Sequence, residues 1–214
     1  MSTSIPIGRI LRADAIHCVV GCQINQAEIP AIGDMVYIPV PNNERIFGII
    51  CNILVDDDGL IRQLVTSDNI ADSVIRDNQL NRNVPLEMEV CFIGHTQQGK
   101  ILQLLPPRPP FSLDRMMSCS AEEIAAFFSA GTFGYFRHIL RDQSPYVEEI
   151  ITAHLRLVQQ NAGNDLPPNW LHDAINEIIL LLRDDYPALM KMLSALSDAN
   201  LIIDDIPAGG SHVN

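Results

Sequence analysis

The first half of the chain is a series of short apolar runs separated by turn residues. Runs of this length, rich in Val and Ile, predict β-strands. The predicted strands lie at residues 7–11, 16–24, 35–40, 45–55, 60–65, 86–93 and 101–105. The run 60–65 is interpreted as the return of a hairpin whose turn is Asp56-Asp57-Asp58-Gly59, and a short helix is predicted around 70–75. Six or seven short strands in one segment predict a small closed β-barrel, since closure removes exposed edges.

The second half of the chain has helical periodicity. Ser120 and Glu123 form the sequence pattern of a capping box, which predicts a helix start. Between 147 and 158, apolar residues and His154 recur at the spacing of one helix face. Further helices are predicted after Ser144-Pro145, after Pro167-Pro168 and from Pro187. The second half is therefore expected to be an all-α bundle, and the chain an α+β protein.

A proline-rich segment separates the strand-rich first half of the chain from the helical second half. Residues 104–114 read LLPPRPPFSLD, and four prolines in five positions continue neither a strand ladder nor a helix. We therefore predict a barrel domain at 1–105, a stiff linker at 106–113, a helical domain at 114–205 and a flexible tail at 206–214.

The composition narrows the function classes. The chain of 214 residues has 14 Lys+Arg against 26 Asp+Glu, a net charge of −12, and 47% hydrophobic residues. Such acidity disfavours direct contact with nucleic acid or with an anionic membrane surface. The charge is uneven, since residues 1–108 carry −4 and residues 109–214 carry −8. An odd count of five cysteines, without a signal-like N-terminus or an apolar run of spanning length, predicts a cytoplasmic protein with reduced thiols.

The motifs that suggest chemistry each lack a required part. The stretch from Gly94 to Lys100 fits GxxxxGK, but Ile101 stands where a P-loop needs Ser or Thr, so we interpret it as a hairpin loop. The acids from Asp56 do not have calcium-loop spacing, and the histidines lack the Glu-x-x-His signature of a bundle metal site. His154 is interpreted as a core or interface residue. We therefore predict no enzyme activity, no cofactor and no metal.

Aromatic residues are concentrated around Gly131 and Gly134, in a chain with only 6% aromatics. This density favours either packing between helices or a docking surface. The candidate interaction surface consists of Phe133, Tyr135 and Phe136 from this cluster, with the adjacent Arg137 and with Arg45 of the predicted barrel.

Three strand sequences of the first half resemble a known domain. They are IGRIL at 7–11, GDMVYI at 33–38 and RIFGII at 45–50. Together they are similar to the HAS-barrel, the N-terminal barrel of HerA-type hexameric ATPases, which is itself similar to the N-terminal barrel of ATP synthase subunits. The resemblance covers residues 5–105, about half of the chain. The ATPase domain that follows in the HerA type is replaced here by the proline segment and the predicted helices, so no ATPase activity is implied.

HAS-barrels take part in assembling ring ATPases and docking their partners, and HerA works with the NurA nuclease in processing DNA ends. The resemblance therefore implies a stand-alone, non-catalytic accessory or assembly protein with a HerA-like ATPase or a NurA-like nuclease as partner. Two alternatives stay open: a metal-dependent nuclease or hydrolase that uses clustered acids, and an OB-like barrel that binds single-stranded nucleic acid. A homo-oligomer also stays open.

Overall fold

A computed structural model describes residues 4–22, 30–55, 59–67, 70–80, 86–141 and 146–202. Its strands, all paired antiparallel, are β1 (Pro6–Ala13), β2 (His17–Cys22), β3 (Met35–Val40), β4 (Glu44–Leu54), β5 (Leu86–Gln97), β6 (Lys100–Leu102) and β7 (Arg115–Ser118). They follow the order β2-β1-β7-β3-β4-β5, and β2 also pairs with β5. This extra pairing closes a six-stranded barrel, with β6 added as a seventh strand at β5. The predicted α+β fold with a closed barrel is confirmed.

Strand β7 comes after the prolines and lies between β1 and β3, where Gly8 faces Met116 and Tyr37 faces Met117. The barrel domain is predicted to end at 105, and residues 115–118 are predicted to belong to the helical domain. A run of four residues with only two methionines as apolar members was too short to predict a strand. The proline segment is thus an excursion of the chain that starts and ends on the barrel.

The segment 60–65 forms a helix rather than a return strand. Helix α1 (Leu60–Val65) contains Leu, Arg and Gln, which favour helices, and Val65 is 78% exposed instead of packed in a sheet. A second helix, α2 (Asp72–Leu80), occupies the region where a short helix was predicted. The predicted turn at 56–58 lies outside the described residues.

The remaining helices are α3 (Ala121–Ser129), α4 (Phe136–Leu140), α5 (Val147–Ala162), α6 (Trp170–Leu182) and α7 (Tyr186–Asp198). The capping box at Ser120 is present, and the predicted apolar face of α5 is buried. Pro187 stands in the first turn of α7 as expected. Pro145 and the tail 206–214 lie outside the described part of the chain. None of the helices in that part is long and apolar enough to cross a membrane.

Two apolar cores share the strands of the barrel. On β3, Val36 and Ile38 point into the barrel interior, whereas Met35 and Tyr37 point outward. The outward side chains join Phe47 and Ile93 in a second core with α3 to α7. Helices α3 to α7 therefore pack directly on one outer face of the barrel.

Candidate functional site

The aromatic residues of the predicted interaction surface lie in the core. Phe133 is 6% exposed, and Tyr135 and Phe136 are fully buried. Their rings contact one another and the rings of Phe127 and Phe128. For these three residues the surface prediction is corrected to packing between the helices and the barrel, because the outward face of β3 to β5 needs an apolar cover.

The two arginines of that prediction have structural partners. Arg137 donates hydrogen bonds to the carbonyl oxygens of Gly134 (2.7 Å) and Gln103 (2.9 Å). Arg45 lies 4.6 Å from the centre of the Tyr37 ring and forms an ion pair with Glu123. The Arg45 side chain keeps 40% of its surface exposed. Arg137 thus joins the start of α4 to the segment after β6, and Arg45 joins β4 to α3.

Glu123 connects three parts of the molecule. Besides the Arg45 ion pair, its carboxylate accepts hydrogen bonds from the Ser120 backbone N–H (2.8 Å) and the Ser4 hydroxyl (2.7 Å). Glu123→Ala is expected to lower the free energy of unfolding by about 2 kcal/mol, because the cap and these contacts are lost together. Urea denaturation measures this value.

Glu122→Ala is the matched control for Glu123→Ala. Glu122 lies in the same first helical turn. Removing its charge therefore changes the interaction with the helix dipole as much as removing that of Glu123 does, but leaves the capping box intact. We expect a loss of about 0.5 kcal/mol or less for the control. Equal losses for the two variants would show that the Glu123 contacts do not stabilise the fold.

His154 bridges the helices and the barrel. Its Nδ1–H donates to the Gly33 carbonyl oxygen (2.9 Å), so Nε2 accepts from the Tyr135 hydroxyl (2.9 Å). Burial lowers the pKa of His154 to about 4, while the bond to Gly33 acts in the opposite direction. The interpretation of His154 as a core residue is confirmed, because both ring nitrogens are used.

Other reactive groups also have structural settings. Burial raises the pKa of the Cys18 thiol to about 12 and that of Cys119 well above its usual value, which disfavours the nucleophilic thiolate. The GxxxxGK stretch forms the β5–β6 hairpin, with Gln98 and Gly99 as the two turn residues at positive φ. Over the described ranges there is no group of three or more His, Cys, Asp or Glu side chains placed to hold a metal ion.

The excursion of residues 104–114, here called the strap, crosses the barrel mouth. Pro106 and Pro110 are buried, whereas residues 107–109 between them are exposed. After the prolines the chain makes a tight turn in which the Asp114 carboxylate accepts from the Phe111 N–H (2.9 Å). The Leu113 N–H donates to the Ile10 carbonyl oxygen (2.8 Å). The strap is therefore attached at both ends and closed by its own turn.

This turn holds two large apolar side chains in solvent. Phe111 is 71% exposed and Leu113 is 66% exposed. Leu113 has φ of 72°, a left-handed conformation that costs a non-glycine residue about 1–2 kcal/mol. Its carbonyl oxygen accepts from Arg9 (2.8 Å), which helps to hold it there. Strain of this kind that serves no packing is typical of functional sites.

Arginines surround the turn. Arg9 on β1 lies directly opposite Arg115 on β7, and both are exposed. Like charges at facing positions of two strands destabilise a sheet, so this pair is retained at a cost. Arg108 is exposed within the strap itself. Together, these three arginines and the two exposed apolar side chains form the strap surface, which consists of Arg9, Arg108, Phe111, Leu113 and Arg115. This surface is not predicted by the sequence, because residues 106–113 are interpreted there as a linker and a phenylalanine after prolines does not by itself indicate an exposed side chain.

A cleft of about 300 Å³ lies between the strap and the barrel mouth. Its walls are the prolines of the strap, the β3–β4 connection and the end of β5. His95, which is only 7% exposed, lines it together with Thr96 and Ile46. The His95 Nδ1 atom lies 3.1 Å from the carbonyl oxygen of Leu104. The cleft and the strap surface meet at Arg108 and Phe111, so both belong to one side of the molecule.

No protein-family model matches the chain, and no curated protein matches it.

Proposed function

We propose that this chain is a non-catalytic accessory protein that docks on a larger protein through its strap surface. The observation that carries the proposal is the constrained turn that holds Phe111 and Leu113 in solvent. A preformed apolar projection loses little conformational entropy when a partner covers it. Aromatic residues with neighbouring arginines are also enriched at the centres of protein interfaces.

The charge of the strap surface indicates which partner chemistry fits. Arg9, Arg108 and Arg115 contrast with the acidic helical half, which carries a net charge of −8. An acidic segment of a partner would reduce the repulsion between Arg9 and Arg115 that the free protein retains. From the HAS-barrel resemblance we propose that the partner is a HerA-like ATPase or a NurA-like nuclease.

The double variant Phe111→Ser, Leu113→Ser tests this docking. The tagged protein is expressed together with a HerA-like ATPase or a NurA-like nuclease from the same genome, and the amount of co-purified partner is measured. We expect at least a tenfold loss in the double variant, because a buried interface aromatic residue contributes about 2 kcal/mol or more.

The matched control is Leu180→Ser, Met190→Ser, which also removes two exposed apolar side chains but on α6 and α7. This control is expected to retain the partner at the wild-type level. Failure of the wild-type protein to retain either partner would contradict the proposed context. Loss of the partner in the control alone would show that the docking site lies on α6 and α7.

One observation favours a second function, the binding of single-stranded nucleic acid. Phe111 is an exposed ring with arginines around it, which is the arrangement used for base stacking along a phosphate backbone. Tight, salt-dependent binding of an oligonucleotide that is lost in Arg9→Ala, Arg115→Ala would favour this function over protein docking.

A further inference from the structure

We infer that the cleft between the strap and the barrel mouth binds one aromatic ring that carries an O–H or N–H donor, the side chain of a tyrosine or tryptophan. The inference rests on the proposed docking function, since the ring would belong to the partner that covers the strap surface. It adds the chemistry by which that partner is recognised.

The walls of the cleft favour a flat ring, and its volume admits one. About 300 Å³ exceeds the roughly 150 Å³ of an apolar cavity that holds benzene, so a phenol or indole ring fits. The walls are mostly apolar and include Val40, Ile46 and four proline rings of the strap. Proline-rich and aromatic surfaces associate in protein recognition, which makes an aromatic side chain a better occupant than a branched aliphatic one.

His95 supplies the polar contact that selects a donor. The Leu104 carbonyl oxygen only accepts hydrogen bonds, so the His95 Nδ1 atom must carry the hydrogen. In the neutral ring Nε2 is then an acceptor. A neutral donor on the occupant, such as a phenol O–H or an indole N–H, can donate to Nε2. A ring without such a donor, such as toluene, cannot.

The Arg45 side chain argues against an anion in the cleft. Although Arg45 lines the cleft, its guanidinium is engaged by the Glu123 carboxylate and by the Tyr37 ring. Glu44 and Asp114 also line the cleft, and so does the exposed Arg108. Because the two acids offset the charge of this arginine, the lining does not favour a carboxylate or phosphate over a neutral group. The neutral imidazole accepts a hydrogen bond, so an uncharged donor fits the polar groups better than an acid does.

The test is an NMR titration of the full chain at pH 8 with p-cresol, the tyrosine side-chain analogue, and with toluene as its matched control. We expect p-cresol to bind about fivefold more tightly than toluene, because one additional hydrogen bond increases the affinity by about this factor. We also expect p-cresol to shift the Nε2 resonance of His95. Equal affinities, or no binding of p-cresol, would overturn the inference.

Two substitutions at His95 separate the acceptor from the fold. The shorter amide side chain of His95→Asn keeps a donor for the Leu104 carbonyl, but has no atom at the Nε2 position. His95→Gln places its amide near that position. We expect the preference for p-cresol to vanish in His95→Asn and to persist in part in His95→Gln. His172→Asn, at an exposed site on α6, is the control that leaves the preference unchanged.

A preference that survives in His95→Asn would overturn the role of Nε2. This outcome is distinguishable from failure of the proposed function. If p-cresol does not bind but the partner is still lost in Phe111→Ser, Leu113→Ser, the docking function is supported and only the assignment of the cleft is wrong.

Discussion

Replacing Gly33 with alanine is expected to lower the free energy of unfolding by about 4 kcal/mol, because backbone strain and overpacking act together. Gly33 has φ of +94°, which is unfavourable for any residue with a Cβ atom. A Cβ here would also lie 2.5 Å from the His154 backbone nitrogen and 2.8 Å from the Ala153 carbonyl carbon. Because these are backbone atoms of α5, the helix must move away from the barrel, and overpacking of this kind adds to the strain.

Gly99→Ala is the matched control for Gly33→Ala. Gly99 has a similar φ of +76°, but nothing lies within 4 Å of the added Cβ. It should lose only the strain, about 1–2 kcal/mol. Urea denaturation of both variants measures the difference. If the two losses are equal, the close contact between the Gly33 turn and α5 does not contribute to stability.

Acid is expected to weaken the same junction through His154. The pKa of His154 is about 4 in the folded protein because burial disfavours the charged ring, against about 6.5 in the unfolded chain. Above pH 6.5 the ring is neutral in both states and its contribution is complete. Between pH 6.5 and 4 only the unfolded chain takes up the proton, so about 3 kcal/mol of stability is lost as the pH falls.

His154→Asn separates this contribution from the other titrating groups. Burial lowers the pKa of His138 and adds to the loss, whereas burial raises the pKa of Asp34, which opposes it. Asparagine retains a donor for the Gly33 carbonyl but takes up no proton. Unfolding free energies measured from about pH 7.5 to about pH 4 should fall less steeply in this variant. An unchanged slope would show that His154 is not the main acid-sensitive group.

The fold was largely predictable because hydrophobic periodicity reports which side of an element is buried. The buried face of α5, which contains Ile151 and Leu155, follows directly from this rule. In β3 the four residues from Met35 to Ile38 are all apolar and buried, so the pattern there indicates a strand covered on both faces. The pattern does not report what covers a buried face. Tyr135 was compatible with packing or docking until the outward rings of Tyr37 and Phe47 were seen to need an apolar cover.

The candidate site was less predictable because it depends on contacts distant in sequence. Arg9 and Arg115 become neighbours only through the pairing of β1 with β7, a strand that the four residues after the strap do not predict. The exposure of Phe111 follows from the turn that Asp114 closes and from the bond of Leu113 to Ile10. In the sequence, a phenylalanine after prolines is equally compatible with a buried anchor.

Photo-crosslinking from position 111 in living cells tests the central claim most directly. A benzophenone amino acid replaces Phe111 in one protein and Val65 in the control, since Val65 is similarly exposed at 78% but lies on α1. We predict a crosslink from position 111 to a HerA-like ATPase or a NurA-like nuclease, and none from position 65. The absence of a crosslink at 111, or equal crosslinks from both positions, would contradict docking through the strap surface.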